Sequence, residues 1–172
     1  RAQTDLIRLE KQGAEAYLPE QTLNLRESTQ LAREYIQRNR FEEAGKTLRS
    51  ARAVLDATAA ALVELRAHAK STSEAKYSQL ENGVDSLALL LQHMPRQSYL
   101  DQNRYDLYSL KLISMRQQVQ AIREDIEQKD YPLALQKGQA LERHLRKSLV
   151  AVMESSSPPV VVVSSSGAAS TR

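Results

Sequence analysis

Residues 41–69 read FEEAGKTLRSARAVLDATAAALVELRAHA. Apolar or small residues recur at Phe41, Ala44, Leu48, Ala51, Leu55, Thr58, Leu62, Leu65 and Ala69, alternating steps of three and four. That spacing lines one face of a helix, whereas a half-buried strand would alternate every second residue. The stretch contains one Gly and no Pro, so nothing in it stops the helix, and the spacing predicts a helix of nearly thirty residues. Three further stripes carry the same step: Tyr77, Leu80, Val84, Leu87, Leu91, Met94; then Tyr105, Tyr108, Leu112, Met115, Val119, Ile122, Ile126; then Tyr131, Ala134, Gly138, Leu141, Leu145, Ser148, Val152. The first forty residues carry shorter stripes, Leu6, Leu9, Gly13, Ala16 and Leu25, Thr29, Ala32, Ile36. Pro19 between them suits the first turn of a helix, where its missing N–H costs nothing.

Composition agrees. Of 172 residues 41% are hydrophobic and 26% charged, but only 5% are aromatic, with one Phe and no Trp. A core must therefore come from Leu, Ala, Val and Ile, a helical-bundle palette. Five Gly and five Pro supply too few turn signals for a β-sandwich, which needs one every 8 to 12 residues or so. The sequence has no run near the ~18 apolar residues that a membrane-crossing helix requires. Zero Cys excludes disulfides, thiolate zinc sites and cysteine nucleophiles. The balance of 24 basic and 21 acidic residues gives a net charge of +3, less than a nucleic-acid binder usually gathers on one face.

The polar joints Arg38–Asn39–Arg40 and Gln128–Lys129–Asp130 are short enough to make the helices they connect antiparallel neighbours. Ser71 with Glu74, and Ser98 with Asp101 after Pro95, have capping-box spacing and mark helix starts. The expectation is an all-α protein of six antiparallel helices, near 2–16, 19–38, 41–70, 73–93, 98–128 and 131–153. They form two tandem three-helix units, 1–70 and 73–153, in an elongated body. The joint at Ser71–Ser73 holds no Gly or Pro, which leaves open a continuous rod through it. From residue 154 the Ser-, Pro- and Val-rich sequence SSSPPVVVVSSSGAASTR, which begins at Ser155, has no helical period and reads as a disordered tail or linker, 154–172.

A shift of 90 residues superposes the two long hairpins: Arg33, Glu34 and Ile36 fall on Arg123, Glu124 and Ile126, Phe41 on Tyr131, Ala44 on Ala134, and Leu55 on Leu145. Either two heptad hairpins with equal loops align by their common period, or a three-helix unit has been duplicated.

Residues 31–51 resemble a tetratricopeptide hairpin: Leu31, Ala32, Tyr35, Asn39, Phe41, Ala44, Leu48 and Ala51 occupy the offsets of that repeat. The second hairpin keeps Tyr131 and Ala134 but has Asp125 and Gly138 at other key positions. Asp56 stands where the repeat has its closing Pro, and the internal period is 90 rather than about 34. The resemblance implies hairpin geometry and a protein-binding role over about 20 of the 172 residues. The tandem three-helix plan is also similar to spectrin repeats, without their Trp positions.

Catalytic motifs are absent from the sequence: it has no HExxH, glycine-rich phosphate loop or GxSxG. His68 and His93 lie tens of ångströms apart along helix at about 1.5 Å per residue and cannot share a metal, and His144 stands alone on another helix. Glu42, Glu43, Glu124 and Glu127 flank the stripes as solubilising charge. The expectation is therefore no enzyme, no cofactor, no metal and no small-molecule substrate. Arg96, Tyr99 and Arg104 combine cations and aromatics as interface anchors do, and they are the expected contacts to a protein partner. Lys137, Arg143, Arg146 and Lys147 make the last helix basic, and Arg143, Arg146 and Lys147 lie off its stripe as an alternative patch for nucleic acid or acidic membrane. The leading reading is a non-catalytic scaffold or adaptor that binds another protein. A chain starting at Arg1 with no apolar leader reads as a processed or excised piece, which favours a periplasmic or secreted setting, such as a bacterial cell-envelope assembly, over a cytoplasmic one.

Overall fold

The structure is a computed structural model, which describes residues 2–156. Among these residues the chain is all-α: α1 Ala2–Lys11, α2 Ala14–Tyr17, α3 Pro19–Gln37, α4 Phe41–Gln92, α5 Tyr99–Glu127 and α6 Tyr131–Ser156. The expected tail lies outside the described residues from 157 onward, and helix α6 extends three residues past the expected end at 153. The Ser155 hydroxyl in its last turn donates to the Ala151 carbonyl at 2.7 Å.

Two helix boundaries differ from the sequence expectation, each for a local reason. The first helix does not run through 2–16: Gly13 adopts φ +85°, a left-handed conformation that a Cβ disfavours, and the chain restarts as the single turn α2. Arg26 on α3 ties the pieces together, reaching Glu10 of α1 at 2.6 Å and Glu15 of α2 at 3.2 Å. These two carboxylates raise the guanidinium pKa above its already high value.

The second difference is larger. No helix ends at Ser71–Ser73, and α4 is one helix of 52 residues. Ser73 is buried and its hydroxyl donates back to the carbonyls of Ala69 at 2.8 Å and Lys70 at 2.9 Å, while Thr72 does the same to His68 at 2.9 Å. Hydroxyls satisfied within the helix have no reason to cap a new one. The buried register also runs on without a phase break, from Leu62 through Ser73 to Leu80 and Val84. The boundary expected between residues 70 and 73 therefore falls inside α4.

The described residues form two compact units, each of discontinuous sequence: 2–78 with 121–138, and 79–120 with 139–156. In the first, Leu6, Leu9 and Ala14 pack with Leu25 of α3 and Ala51, Leu55 and Leu62 of α4, bordered by Tyr17, Leu18, Val54 and Ala59. In the second, the buried residues include Leu80, Val84, Leu87 and Leu91 of α4, Met115 and Val119 of α5, and Leu141, Leu145 and Val152 of α6. Gly83 permits close approach here, since a Cβ on it would lie 2.5 Å from Leu145 Cδ2.

The two polar joints share no residue, yet they repeat the same backbone hydrogen bonds. Asn39 N–H donates to Ile36 O at 3.0 Å and Arg40 N–H to Tyr35 O at 2.8 Å; ninety residues on, Lys129 N–H donates to Ile126 O at 3.0 Å and Asp130 N–H to Asp125 O at 2.8 Å. This paired 5→2 and 6→1 pattern is the Schellman motif, which places its central residue in the left-handed region, and Asn39 and Lys129 have φ of 57° and 65°. Asn tolerates that region better than Lys does. Lys129→Gly is therefore expected to stabilise the protein by roughly 0.5–1 kcal/mol, read as a higher urea midpoint at unchanged m-value. No gain would mean that the joint is relaxed with Lys in place.

Burial follows the same offset. Ala44, Ala51, Leu55, Thr58 and Leu62 are buried, and so are Ala134, Leu141, Leu145, Ser148 and Val152.

Candidate functional site

Helix α5 begins as its sequence predicts. Ser98 and Asp101 form a reciprocal capping box: the Asp101 N–H donates to Ser98 Oγ at 3.1 Å, and the Ser98 N–H donates to Asp101 Oδ2 at 3.2 Å. This satisfies two of the N–H groups that a helix start leaves orphaned, so the first turn, which carries Tyr99 and Leu100, is held in place.

From this start α5 presents two apolar faces. One is the expected stripe, buried at Met115, Val119 and Ile122 and half-buried at Tyr105 and Tyr108. The other lies outside the expected stripe: Leu100, Leu107, Leu110 and Ile113 are exposed, Leu110 at 67%, and so is Tyr99, an expected partner contact, at 82%. Leu107, Leu110 and Ile113 recur at steps of three, and Leu110, nine residues before Val119, lies on the opposite side of the helix from it. The spacing was available in the sequence. It carries no separate signal there, because one stripe per helix suffices to define a bundle, and a second stripe adds nothing to the fold.

The expected partner contacts Arg96, Tyr99 and Arg104 lie around the start of this helix, and they are not equivalent. Arg96 sits over the Tyr105 ring, 3.5 Å from its centroid, close enough for a cation–π contact that holds both side chains. Tyr99 projects to solvent beside the apolar face, and Arg104 is exposed. Lys111 lies 4.8 Å from the Tyr108 centroid on the same helix.

The alternative basic patch is partly neutralised. Lys137 reaches Asp125 at 2.7 Å, and Arg146 pairs with Glu142 at 3.3 Å. Arg143, Arg146 and Lys147 line a shallow cleft of about 510 Å³ with Gln139 and Glu142. Lys147 also borders a second cleft of about 290 Å³ with Lys111 and His144. Asp125, which departs from the tetratricopeptide pattern, is buried and takes its charge partner from Lys137 across the α5–α6 joint.

Among the described residues no group of three or more His, Asp or Glu is placed to hold a metal ion, and no helix is long and apolar enough to cross a membrane. No family model, curated protein or solved structure matches this chain.

Proposed function

We propose that the chain is a non-catalytic helical scaffold or adaptor, and that it binds another protein through the outward face of α5. The observation that supports this reading is the row Leu107, Leu110 and Ile113, exposed on a helix whose other side is already buried at Met115 and Val119. Large side chains clustered this way on a surface are the usual mark of an interaction site, and Tyr99 at its edge has the chemistry of an interface anchor.

A second reading has its own observation: Arg143 and Lys147, with Lys111 and His144 nearby, line the two clefts on α5 and α6, a surface to which nucleic acid or acidic lipid would be drawn. Capture from an extract of the source cells separates the two. Leu107→Lys with Leu110→Lys is expected to abolish partner capture, while Arg143→Gln, Arg146→Gln and Lys147→Gln together leave it intact. The reverse result would transfer the function to the basic patch, and binding there should then weaken steeply with salt, by up to about three phosphate contacts.

A further inference from the structure

We infer that the smaller cleft between α5 and α6 is a binding site for a phosphate monoester group, held between Lys111 and Lys147 over the Ser148 hydroxyl. The inference rests on the second reading above and narrows a basic surface to one site and one kind of ligand.

The cleft lies within a single compact unit, since α5 up to residue 120 and α6 from residue 139 belong together. Lys111, Ser114 and Gln118 follow one another on α5 at steps of three and four, and so share a side of that helix. Across from them His144, Lys147 and Ser148 supply the wall from α6. The volume of about 290 Å³ is at the small end of the roughly 300–1,000 Å³ of small-molecule sites, which suits a group of phosphate size better than a large ligand.

Charge separates this cleft from its larger neighbour. There Glu142 stands beside Arg143 and Arg146 and pairs with Arg146 at 3.3 Å, so part of the positive field is already neutralised. Among the described residues no Asp or Glu lines the smaller cleft. Lys111, whose ammonium lies 4.8 Å from the Tyr108 ring centroid, and Lys147 make no ion pair among the described residues. Two cations lining one cleft without a counter-ion repel each other, and a dianion between them turns that repulsion into attraction.

The neutral donors agree. Thr22, Thr58 and Ser73 are buried, and each donates its hydroxyl to the carbonyl four residues back, at 2.7–2.8 Å. Ser148 is also buried, at 5% exposure, but its hydroxyl makes no such bond to His144 and borders the cleft instead. A buried hydroxyl without a protein partner is costly unless something else accepts from it. Opposite, the Gln118 amide donates to Ser114 Oγ at 3.2 Å, which leaves the Ser114 O–H to donate outward, and His144 adds a ring N–H. A phosphate monoester matches this set, with about −1.5 to −2 charge at neutral pH and three acceptor oxygens. A diester carries less charge and fewer free oxygens. Lysine binds phosphate as a point charge, so the site holds the group without dictating what carries it.

A nuclear magnetic resonance titration of the full chain with inorganic phosphate, at constant ionic strength set by chloride, tests the site. At roughly 100 mM, a hundredfold above a weak millimolar Kd, the amide signals of residues 111–118 and 144–148 should have shifted to saturation. Lys147→Gln should weaken binding about tenfold or more, the loss of one hydrogen bond to a charged group, and Ser148→Ala about two- to tenfold. Arg143→Gln removes the same charge from α6 but lines only the larger cleft, and should change the Kd by less than about twofold. All three variants should keep wild-type helicity. Once inorganic phosphate is seen to saturate the site, vesicles give the source: a preference for phosphatidic acid, a monoester headgroup, over phosphatidylglycerol, a diester, that Ser148→Ala reduces assigns a lipid, and no such preference assigns a soluble phosphate compound. Shifts that never saturate, or equal losses in Lys147→Gln and Arg143→Gln, overturn the inference. In that case duplex DNA or acidic vesicles bound with steep salt dependence would still support the broader basic surface, and Leu107→Lys with Leu110→Lys would still test the protein partner, so the readings fail separately.

Discussion

Leu141→Ala is expected to lower the unfolding free energy by about 3–5 kcal/mol, at the upper end of the range for buried Leu. Leu141 has no exposed surface and lies in the second core, where α6 faces the buried residues of α4 and α5. Removing its isopropyl group loses the transfer free energy and leaves a void that long rigid helices cannot close by relaxing. In a domain of this size that loss corresponds to a fall in melting temperature of roughly 6–20 °C, at 2–4 °C per kcal/mol. Leu55→Ala in the first core should cost about 2–5 kcal/mol, and Arg49→Ala, on the exposed side of α4, should stay within about 0.5 kcal/mol. Similar effects at Arg49 and Leu141 would show that the helix register is wrong.

Ser73→Pro tests the continuity of α4. A proline in a helix interior removes one backbone hydrogen bond and clashes with the preceding turn, at a cost of about 3 kcal/mol or more. If a helix started at residue 73, proline would sit at its first position and be tolerated. Because α4 runs unbroken from Phe41 to Gln92 and Ser73 is buried, the full penalty is expected, together with loss of the two hydroxyl back-bonds. Chemical denaturation of Ser73→Pro against Ser73→Ala isolates the proline effect. A difference below about 1 kcal/mol would place a helix break at this joint after all.

The same stretch shows where sequence reading reaches its limit. A serine three residues before a glutamate has the spacing of a cap, and at Ser98 with Asp101 the cap is real because Pro95 has already ended the preceding helix. At Ser71 with Glu74 nothing stops the helix, and the adjacent hydroxyls of Thr72 and Ser73 bond back to their own turn. Local spacing is identical in kind, and only the neighbouring chain decides. Gly13 misleads in another way: it fits a stripe by position, but its positive φ is a property of the backbone that a count of apolar residues does not register. The joints at Asn39 and Lys129 were legible because a short polar break between two long stripes admits few geometries. The outer face of α5 was legible in spacing but not in meaning, since a sequence does not say which of two stripes is covered. Asp125 was seen only as a mismatch; its burial and its pairing with Lys137 depend on α6 crossing beside it.

The discontinuous make-up of the first unit bears on how the chain folds as it is made. Its core of Leu6, Leu9, Leu25, Leu55 and Leu62 can assemble once α4 has emerged, but its last segment, 121–138, is still to come. Between Ser78 and Gly138 lie about 60 residues, which at 5–20 residues per second take roughly 3–12 s to synthesise. Through that interval the side of the unit that later receives Tyr131 stays uncovered. On the ribosome, therefore, the nascent chain passes through a stage in which its first unit is packed inside but unfinished outside, and arrest peptides placed before and after residue 138 should report that closing step as a separate pulling event.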